Sequence, residues 1–256
     1  VAIIGLGTGV TTSEMTLYDD VQSIDVAEIS FEVEEALPLF ASANRRVAND
    51  PRLHIHRGDA FRVIGRGKGT WDIIISEPSN PWVTGVDMLY TREFYALAQQ
   101  HMSEDGVFLQ WAHIYTSSPE AVGMIANTLV RSFADVNVFY GESGDLLFMA
   151  TSRTIDADRL AAAQRLFDSN GDLRRSLADV GIASMDALLR RQVWSRDAIR
   201  ALFSFAGIQT LDRPRLHYIA GMDAFRGEGL PLPVLYQIIP EKLFAGYLYF
   251  VAHPEA

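Results

Sequence analysis

Between Val1 and Ala150, short β-rich runs alternate with helix-length stretches, and that alternation constrains the fold more than any other feature. The runs are Val1 to Gly5, Ser23 to Glu28, Leu53 to Arg57, Trp71 to Ser76 and Gly106 to Trp111, most of them closed by a glycine, an acid or an Asn/Pro turn. Helix-length stretches separate them, notably Phe31 to Arg46 and Arg92 to Met102, with Thr91 placed as N-cap of the second. Strands joined through helices form right-handed crossovers and a parallel sheet covered on both faces. The unbroken apolar run Ile73, Ile74 and Ile75 suits a central strand of such a sheet. Ser118 and Pro119 read as N-cap and first residue of a further helix reaching about Phe133. Asn137 to Tyr140 and Asp145 to Ala150 are separated only by Gly141-Glu142-Ser143-Gly144, which makes them an antiparallel hairpin. The expected fold is α/β: a Rossmann-like doubly wound sheet of five parallel strands plus a terminal antiparallel hairpin.

The texture changes after Thr151. Asp156 to Phe167, Leu173 to Val180, Ser184 to Gln192 and Ser195 to Phe205 all read as short helices, punctuated by Gly171, Gly181 and Gly207. This divides the chain into a sheet domain, 1–152, and a mostly helical C-terminal appendage, 153–256, packed on it. From Gly227 onward the Pro-rich pattern supports no assignment.

With 256 residues, 48% of them hydrophobic, the chain has material for a full-sized core. Its formal charge of −10 argues against a nucleic-acid partner, which normally leaves a basic face. It is compatible with a cationic small substrate, although ordinary acidic solubility is the better explanation of the charge alone. The chain contains no cysteine, so disulfides, thiolate metal sites and a cysteine nucleophile are excluded. The most apolar long segment, Leu230 to Ala252, is broken by Pro231, Pro233, Pro240, Glu241 and Lys242, short of the roughly 20 apolar residues that span a bilayer. No signal peptide is evident. Because Val1 already lies inside a strand pattern, we expect this to be an excerpt of a longer protein.

The first run empties into Gly5-Leu6-Gly7-Thr8-Gly9, where glycines let backbone turn sharply and approach a ligand. A dinucleotide fingerprint needs glycine at position 10, where this chain has Val10. The shorter form fits a nucleoside ligand without a pyrophosphate, such as S-adenosylmethionine or its decarboxylated form. Glu28, followed by Ile29, closes the second run where such sheets offer a carboxylate to a ribose diol. Asp59, followed by Ala60, closes the third and is placed to accept from an adenine amino group. Each acid also has the plainer reading of a helix N-cap, but open α/β sheets bind ligands at successive strand ends.

The fourth run ends in Ser76-Glu77-Pro78-Ser79-Asn80-Pro81-Trp82. Together with the glycine loop, Tyr90-Thr91-Arg92-Glu93-Phe94-Tyr95 and Asp105-Gly106-Val107-Phe108, this resembles the spermidine synthases. The branch often fused to membrane segments is the nearest in pattern, through Asp145-Leu146-Leu147 and Asp212-Arg213-Pro214-Arg215-Leu216. The resemblance runs over roughly residues 1–220. It implies transfer of an aminopropyl group from decarboxylated S-adenosylmethionine to an amine such as putrescine, without a metal and in a homodimer. It implies nucleoside contacts at Gly5, Gly7, Glu28 and Asp59, and acceptor-amine contacts at Glu77 and Asn80. It also leads us to expect membrane segments or a β-hairpin module N-terminal to this chain, and a cytoplasmic domain, free or tethered to the membrane through regions outside the chain.

An alkylammonium with a pKa near ~10 has no lone pair at neutral pH, so an enzyme using it must accept its proton while aligning nitrogen, carbon and sulfur. Two positions depart from the family pattern. Its motif is Asp-x-x-Asp-Pro, the second acid being the base, where this chain has Glu77 and Asn80. An acid usual in the glycine loop is replaced by Thr8. Glu77 remains as a candidate base. Asn80-Pro81-Trp82 also partly resembles the substrate loop of amino methyltransferases, so two alternatives stand beside aminopropyl transfer: an S-adenosylmethionine-dependent N-methyltransferase, and a non-catalytic nucleoside- or polyamine-binding domain. Trp82, His113 and Tyr115 lie at the same sheet edge, as substrate contacts or as packing. His54 and His56 alternate on one strand with no third ligand, and Gly65-Arg-Gly-Lys-Gly69 lacks phosphate-loop spacing, so both read as structural.

Overall fold

A computed structural model describes residues 1–141, 144–230 and 247–253 of the chain. Its centre is an eight-stranded sheet of order β3-β2-β1-β4-β5-β7-β6-β8. The strands are β1 (Ala2–Ile4), β2 (Ile24–Glu28), β3 (Leu53–Arg57), β4 (Trp71–Ser76), β5 (Met102–His113), β6 (Asp135–Tyr140), β7 (Asp145–Thr151) and β8 (Gln192–Trp194). The first five are parallel neighbours, and β6 with β7 forms the antiparallel hairpin, with β7 inserted against β5. Strand order reverses between β1 and β4, which places the ligand-binding crevice of such a sheet at their carboxyl ends.

The apolar runs are double-sided, as a buried parallel sheet requires. Ile3, Ile24, Val26 and Ile75 face one layer, closed by Leu37 and Val47. Ile4, Ile74 and Phe108 face the other, packed by Phe94 and Tyr95 of α4 (Arg92–Gln100) and by α5 (Pro119–Ser132). Thr91 caps α4 by accepting from the Phe94 N–H at 3.2 Å, and Ser118 caps α5 in the same way from Ala121. These caps satisfy amide donors that the first turn of a helix leaves open.

Three expected boundaries are corrected. The stretch Phe31 to Arg46 is not one helix: α2 (Phe31–Ala36) passes into a 3-10 turn at Leu37–Phe40, and Arg45 and Arg46 sit at φ +52 and +58. Pro38, inside the stretch, removes a helical donor, and left-handed residues end helices. Ser184 to Gln192 is not wholly helical either, since its last residue opens β8, which pairs antiparallel with β6. Met102 belongs to β5, which begins four residues before the expected Gly106. The hairpin turn residues Glu142 and Ser143, and most of the Pro-rich segment after Leu230, lie outside the described residues.

The region after Thr151 carries α6 (Ala157–Ser169), α7 (Gly171–Asp179) and α8 (Met185–Leu189) and is joined to the sheet domain through α5 and the loop that follows β5. Asn127 on α5 donates to the carbonyls of Phe203 and Ala206 at 2.6 and 2.7 Å, where α9 (Arg196–Leu202) ends. Asp223 on α10 (Leu216–Arg226) accepts from the Ser118 N–H at 2.7 Å, and Leu230 donates to Ile114 O at 2.9 Å. Both tie this region to the loop that follows β5. Among the described residues no helix is long and apolar enough to cross a membrane.

Candidate active site

The glycine loop is held by its neighbours on both sides. Gly5 donates to Ala27 O and Glu77 donates to Ile4 O, each at 3.0 Å. At φ +92, a Cβ on Gly5 would lie 2.6 Å from the Glu77 carbonyl, so only glycine lets the ends of β1 and β4 meet so closely. Gly9, at φ +78, is pressed instead against a side-chain methyl of Leu37. Gly7 differs: at φ +51 its Cβ direction meets no atom within 4 Å and opens outward. Thr8 O accepts from the Asn44 amide at 2.9 Å, fixing the far side of the loop. The helix that follows, α1 (Val10–Glu14), is a single short turn-and-a-half.

Glu28 is buried at the end of β2, yet both of its oxygens are engaged by main-chain donors: Leu6 N–H at 3.0 Å and Ser30 N–H at 2.8 Å. The carboxylate is thus locked against the glycine loop, and each oxygen keeps a free lone pair. Ile29 beside it is 78% exposed, an apolar surface next to the loop. Gly58 N–H reaches Glu28 O at 2.9 Å, which brings the end of β3 alongside. Asp59 there is the N-cap of α3 (Ala60–Gly65), accepting from Arg62 N–H at 3.2 Å, and Ala60 is buried beneath it. The capping role is therefore occupied, and one Asp59 oxygen is left for any other partner.

On the other side of β4 lies an open cleft of about 380 Å³, lined by Glu77, Pro78, Trp111, Gly141, Asp145 and Leu147. Burial pushes the Glu77 carboxyl above its ordinary range; a hydrogen bond from Thr11 opposes the shift, and the negative charge of Asp145 adds to it. Two facing carboxylates in a half-dry cleft form a site that a cation would relieve. Asp145 is the residue that sequence reasoning missed. It appeared there within a hairpin strand and in the Asp145-Leu146-Leu147 motif, with no site role, and its signal was its register: it stands opposite His113 across the β5–β7 pair.

The aromatic residues gather at the same edge. His113 is 2% exposed, stacked on Tyr115 at 4.2 Å, with Trp82 and Trp111 at 5.3 and 5.4 Å. Its Nδ1 lies 2.6 Å from Tyr115 O and 3.3 Å from Ser117 Oγ, while its Nε2 is buried with no hydrogen-bond partner among the described residues. Burial lowers the His113 pKa, against the opposing effects of the Tyr115 carbonyl and Asp145. Asn80 enters the local structure through its carbonyl, which accepts Val83 N–H at 2.9 Å. Trp82 approaches Gly221 of α10, outside the lining of the cleft, where Trp111 is the aromatic residue.

His56 and the Gly65–Gly69 turn both have packing partners within the protein. His56 pairs with Asp25 at 2.8 Å, and among the described residues no group of three or more His, Cys, Asp or Glu could hold a metal ion. Gly67, in the Gly65–Gly69 turn, packs so closely on Trp71 that a Cβ would come within 2.6 Å of the ring. A depression of about 610 Å³ beside it, lined by Arg57, Arg62, Arg66 and Lys68, runs along β3 to the start of β4, away from the carboxylate cleft.

Known proteins resemble this chain in sequence and in fold. The polyamine aminopropyltransferase of Alkaliphilus oremlandii is 30% identical over 109 residues, covering 43% of this chain and 38% of its own length. That of Thermoanaerobacter sp. is 26% identical over 136 residues, covering 53% and 47%. The chain therefore spans less than half the length of these curated relatives. Spermidine synthase from Thermotoga maritima superposes with a TM-score of 0.52 at 24% identity, covering 62% of this chain and 57% of that one. Human methyltransferase-like protein 13, in complex with SAH, gives 0.51 at 16% identity, covering 69% and 81%. At these identities the two structures speak for the fold alone, which aminopropyl- and methyltransferases share. The assignment within that fold comes from the family model described as spermine/spermidine synthase domain, which matches residues 1–141, from the glycine loop to the turn after β6. A match of that extent makes the chain a member of the spermine/spermidine synthase family.

Proposed function

We propose that this domain transfers an aminopropyl group from decarboxylated S-adenosylmethionine to a small cationic amine such as putrescine. The observation that carries the reading is the cleft in which Glu77 and Asp145 face one another beside Trp111, directly against the glycine loop through the Gly5–Glu77 contact. A nucleoside would lie on the open side of Gly7, where the loop offers backbone and no atom of the described residues stands within 4 Å of the Cβ direction. Gly5, Leu6, Gly7, Thr8 and Gly9 would form its bed, Glu28 would accept from the ribose diol, and Ile29, Asp59 and Ala60 would border the base. When bound, the donor supplies a sulfonium-activated carbon open to displacement.

The protein's own tasks are to hold, orient and deprotonate the amine. Glu77 and Asp145 supply the negative charge that draws an alkylammonium into a partly desolvated cleft, where such attraction is stronger than in water. Trp82, Trp111 and Tyr115 exclude water and pack on its methylene chain. Departure of a neutral thioether needs no acid. Family membership and the names of the relatives support aminopropyl transfer, and the homodimer usual in the family belongs to the same proposal. N-methyl transfer from S-adenosylmethionine is the second reading, favoured by Asn80-Pro81-Trp82 and by Thr8 in place of a loop acid.

Calorimetric titration separates them. Tighter binding of methylthioadenosine than of S-adenosylhomocysteine is expected; the reverse preference would favour methyl transfer. Binding of neither would remove the nucleoside assignment itself.

A further inference from the structure

The orphaned nitrogen of His113 has a use that the assigned roles leave open. The Tyr115 carbonyl can only accept, so the Nδ1 atom 2.6 Å away carries the ring hydrogen and Nε2 is left with a bare lone pair. That lone pair is buried and unpartnered, in a protein interior where polar atoms are normally satisfied. Directly opposed residues of an antiparallel pair share a sheet face, and the register sets His113 opposite Asp145 and Trp111 opposite Leu147. Asp145, Trp111 and Leu147 line the carboxylate cleft, and His113 shares their sheet face, buried directly behind that lining. Its cover is the stacked Tyr115 ring, itself 46% exposed, on a turn whose next residue, Thr116, is held at φ +53 with its own hydroxyl unpartnered. A β-branched residue in that conformation marks stored strain of the kind found at ligand clamps.

We propose that His113 is the proton acceptor of the reaction, its Nε2 taking a proton from the alkylammonium held between Glu77 and Asp145. This rests on the aminopropyl-transfer reading and explains how the chain manages with Asn80 where a basic carboxylate would be expected. The ammonium N–H bond breaks toward Nε2, giving neutral amine and imidazolium. The freed nitrogen lone pair forms the new N–C bond as the C–S bond of the sulfonium breaks, its electron pair leaving with sulfur as a thioether. The imidazolium then returns its proton to solvent. Burial keeps the ring neutral and ready to accept, and the negative charge of Asp145 on β7 stabilises the imidazolium once formed. Glu77, tied to Thr11 and repelled by Asp145, serves as counter-ion to the substrate.

Two measurements on the protein test this. In ¹⁵N-histidine spectra the His113 Nε2, assigned with His113→Gln, is expected to be unprotonated in the free protein and to shift toward a hydrogen-bonded position on titration with putrescine. A protonated Nε2, or no response to putrescine, overturns the proposal. In steady-state assays His113→Gln is expected to lower kcat at pH 7 by about 10²- to 10⁴-fold with the donor KM unchanged. The variant's rate should then climb about tenfold per pH unit toward the amine pKa, whereas the wild type levels off. Parallel pH profiles would show a packing role and refute proton transfer. Methylthioadenosine binding is measured on the same samples: its failure would sink the donor reading, and the putrescine titration of Nε2 still decides for or against His113.

Discussion

Gly5 and Gly7 both occupy left-handed backbone, yet alanine should fail at the two positions for different reasons. At Gly7 the added methyl meets nothing within 4 Å, so the protein bears only the conformational cost of φ +51. That cost is about 1–2 kcal/mol for a residue with a Cβ. At roughly 2–4 °C per kcal/mol for a domain of this size, Gly7→Ala should lower Tm by about 2–8 °C and leave a folded protein. At Gly5 the methyl would sit 2.6 Å from a backbone carbonyl that cannot rotate away, so β1 and β4 must part or the loop must leave its position. Strain and overpacking together cost about 2–6 kcal/mol, enough to consume much of a typical domain's stability. Binding should rank differently. If the nucleoside lies against the open side of Gly7, the new methyl occupies its space, and methylthioadenosine affinity should fall at least 30-fold, about 2 kcal/mol. Thermal denaturation and calorimetry on the two variants check both halves. Wild-type affinity in Gly7→Ala would show that no ligand approaches there. Equal stability of the two variants would refute the tight packing of β1 on β4.

Glu77→Gln should stabilise the protein at neutral pH while weakening amine binding. The folded pKa lies above the ordinary 4.5, so this carboxyl's contribution is most favourable at low pH and is lost as pH rises from about 4.5 through the folded value. The variant's Tm should exceed that of the wild type at pH 7.5 and converge with it below pH 4; a lower Tm at pH 7.5 would show that the carboxylate is well solvated. Asn127→Ala removes a donor shared by two carbonyls at the end of α9 and should cost about 2–4 kcal/mol in denaturant unfolding. A cost below about 0.5 kcal/mol would mean that water takes the amide's place.

The parallel half of the sheet was legible because its signals are local and repeated. Ile3 and Ile4, or Ile74 and Ile75, serve opposite faces, and a two-sided apolar run reports exactly that burial without reference to distant residues. That the glycine loop and Glu28 close the first two strands was legible for the same local reason. β8 was not: three residues, Gln192 to Trp194, pair with β6 from more than fifty positions away, and no periodicity can declare itself over so short a run. Helix extent failed at Phe31 to Arg46, where composition favoured continuation and Pro38 with two left-handed arginines did not. Asp145 was hidden for a different reason. Its meaning lies in standing opposite His113, and register is a property of two segments together.

That pairing bears on the most conspicuous departure from the family pattern, the amide at Asn80. If His113 already accepts the proton, restoring the acid with Asn80→Asp gives the wild-type site a redundant base and a third negative charge beside Glu77 and Asp145. Such a charge strengthens attraction for an ammonium and raises the pKa of its neighbours. The expected result is a lower KM for putrescine with kcat changed by less than about 3-fold. In the His113→Gln background the same substitution supplies the only base of that reach, and at least a tenfold recovery of kcat is expected, since a positioned base contributes about 10²- to 10⁴-fold. Unequal effects in the two backgrounds are the mark of residues that share one role, whereas independent roles give equal ones. A hundredfold gain from Asn80→Asp alone would show that the wild-type site lacks an effective proton acceptor, and His113 would then be a packing residue under Tyr115.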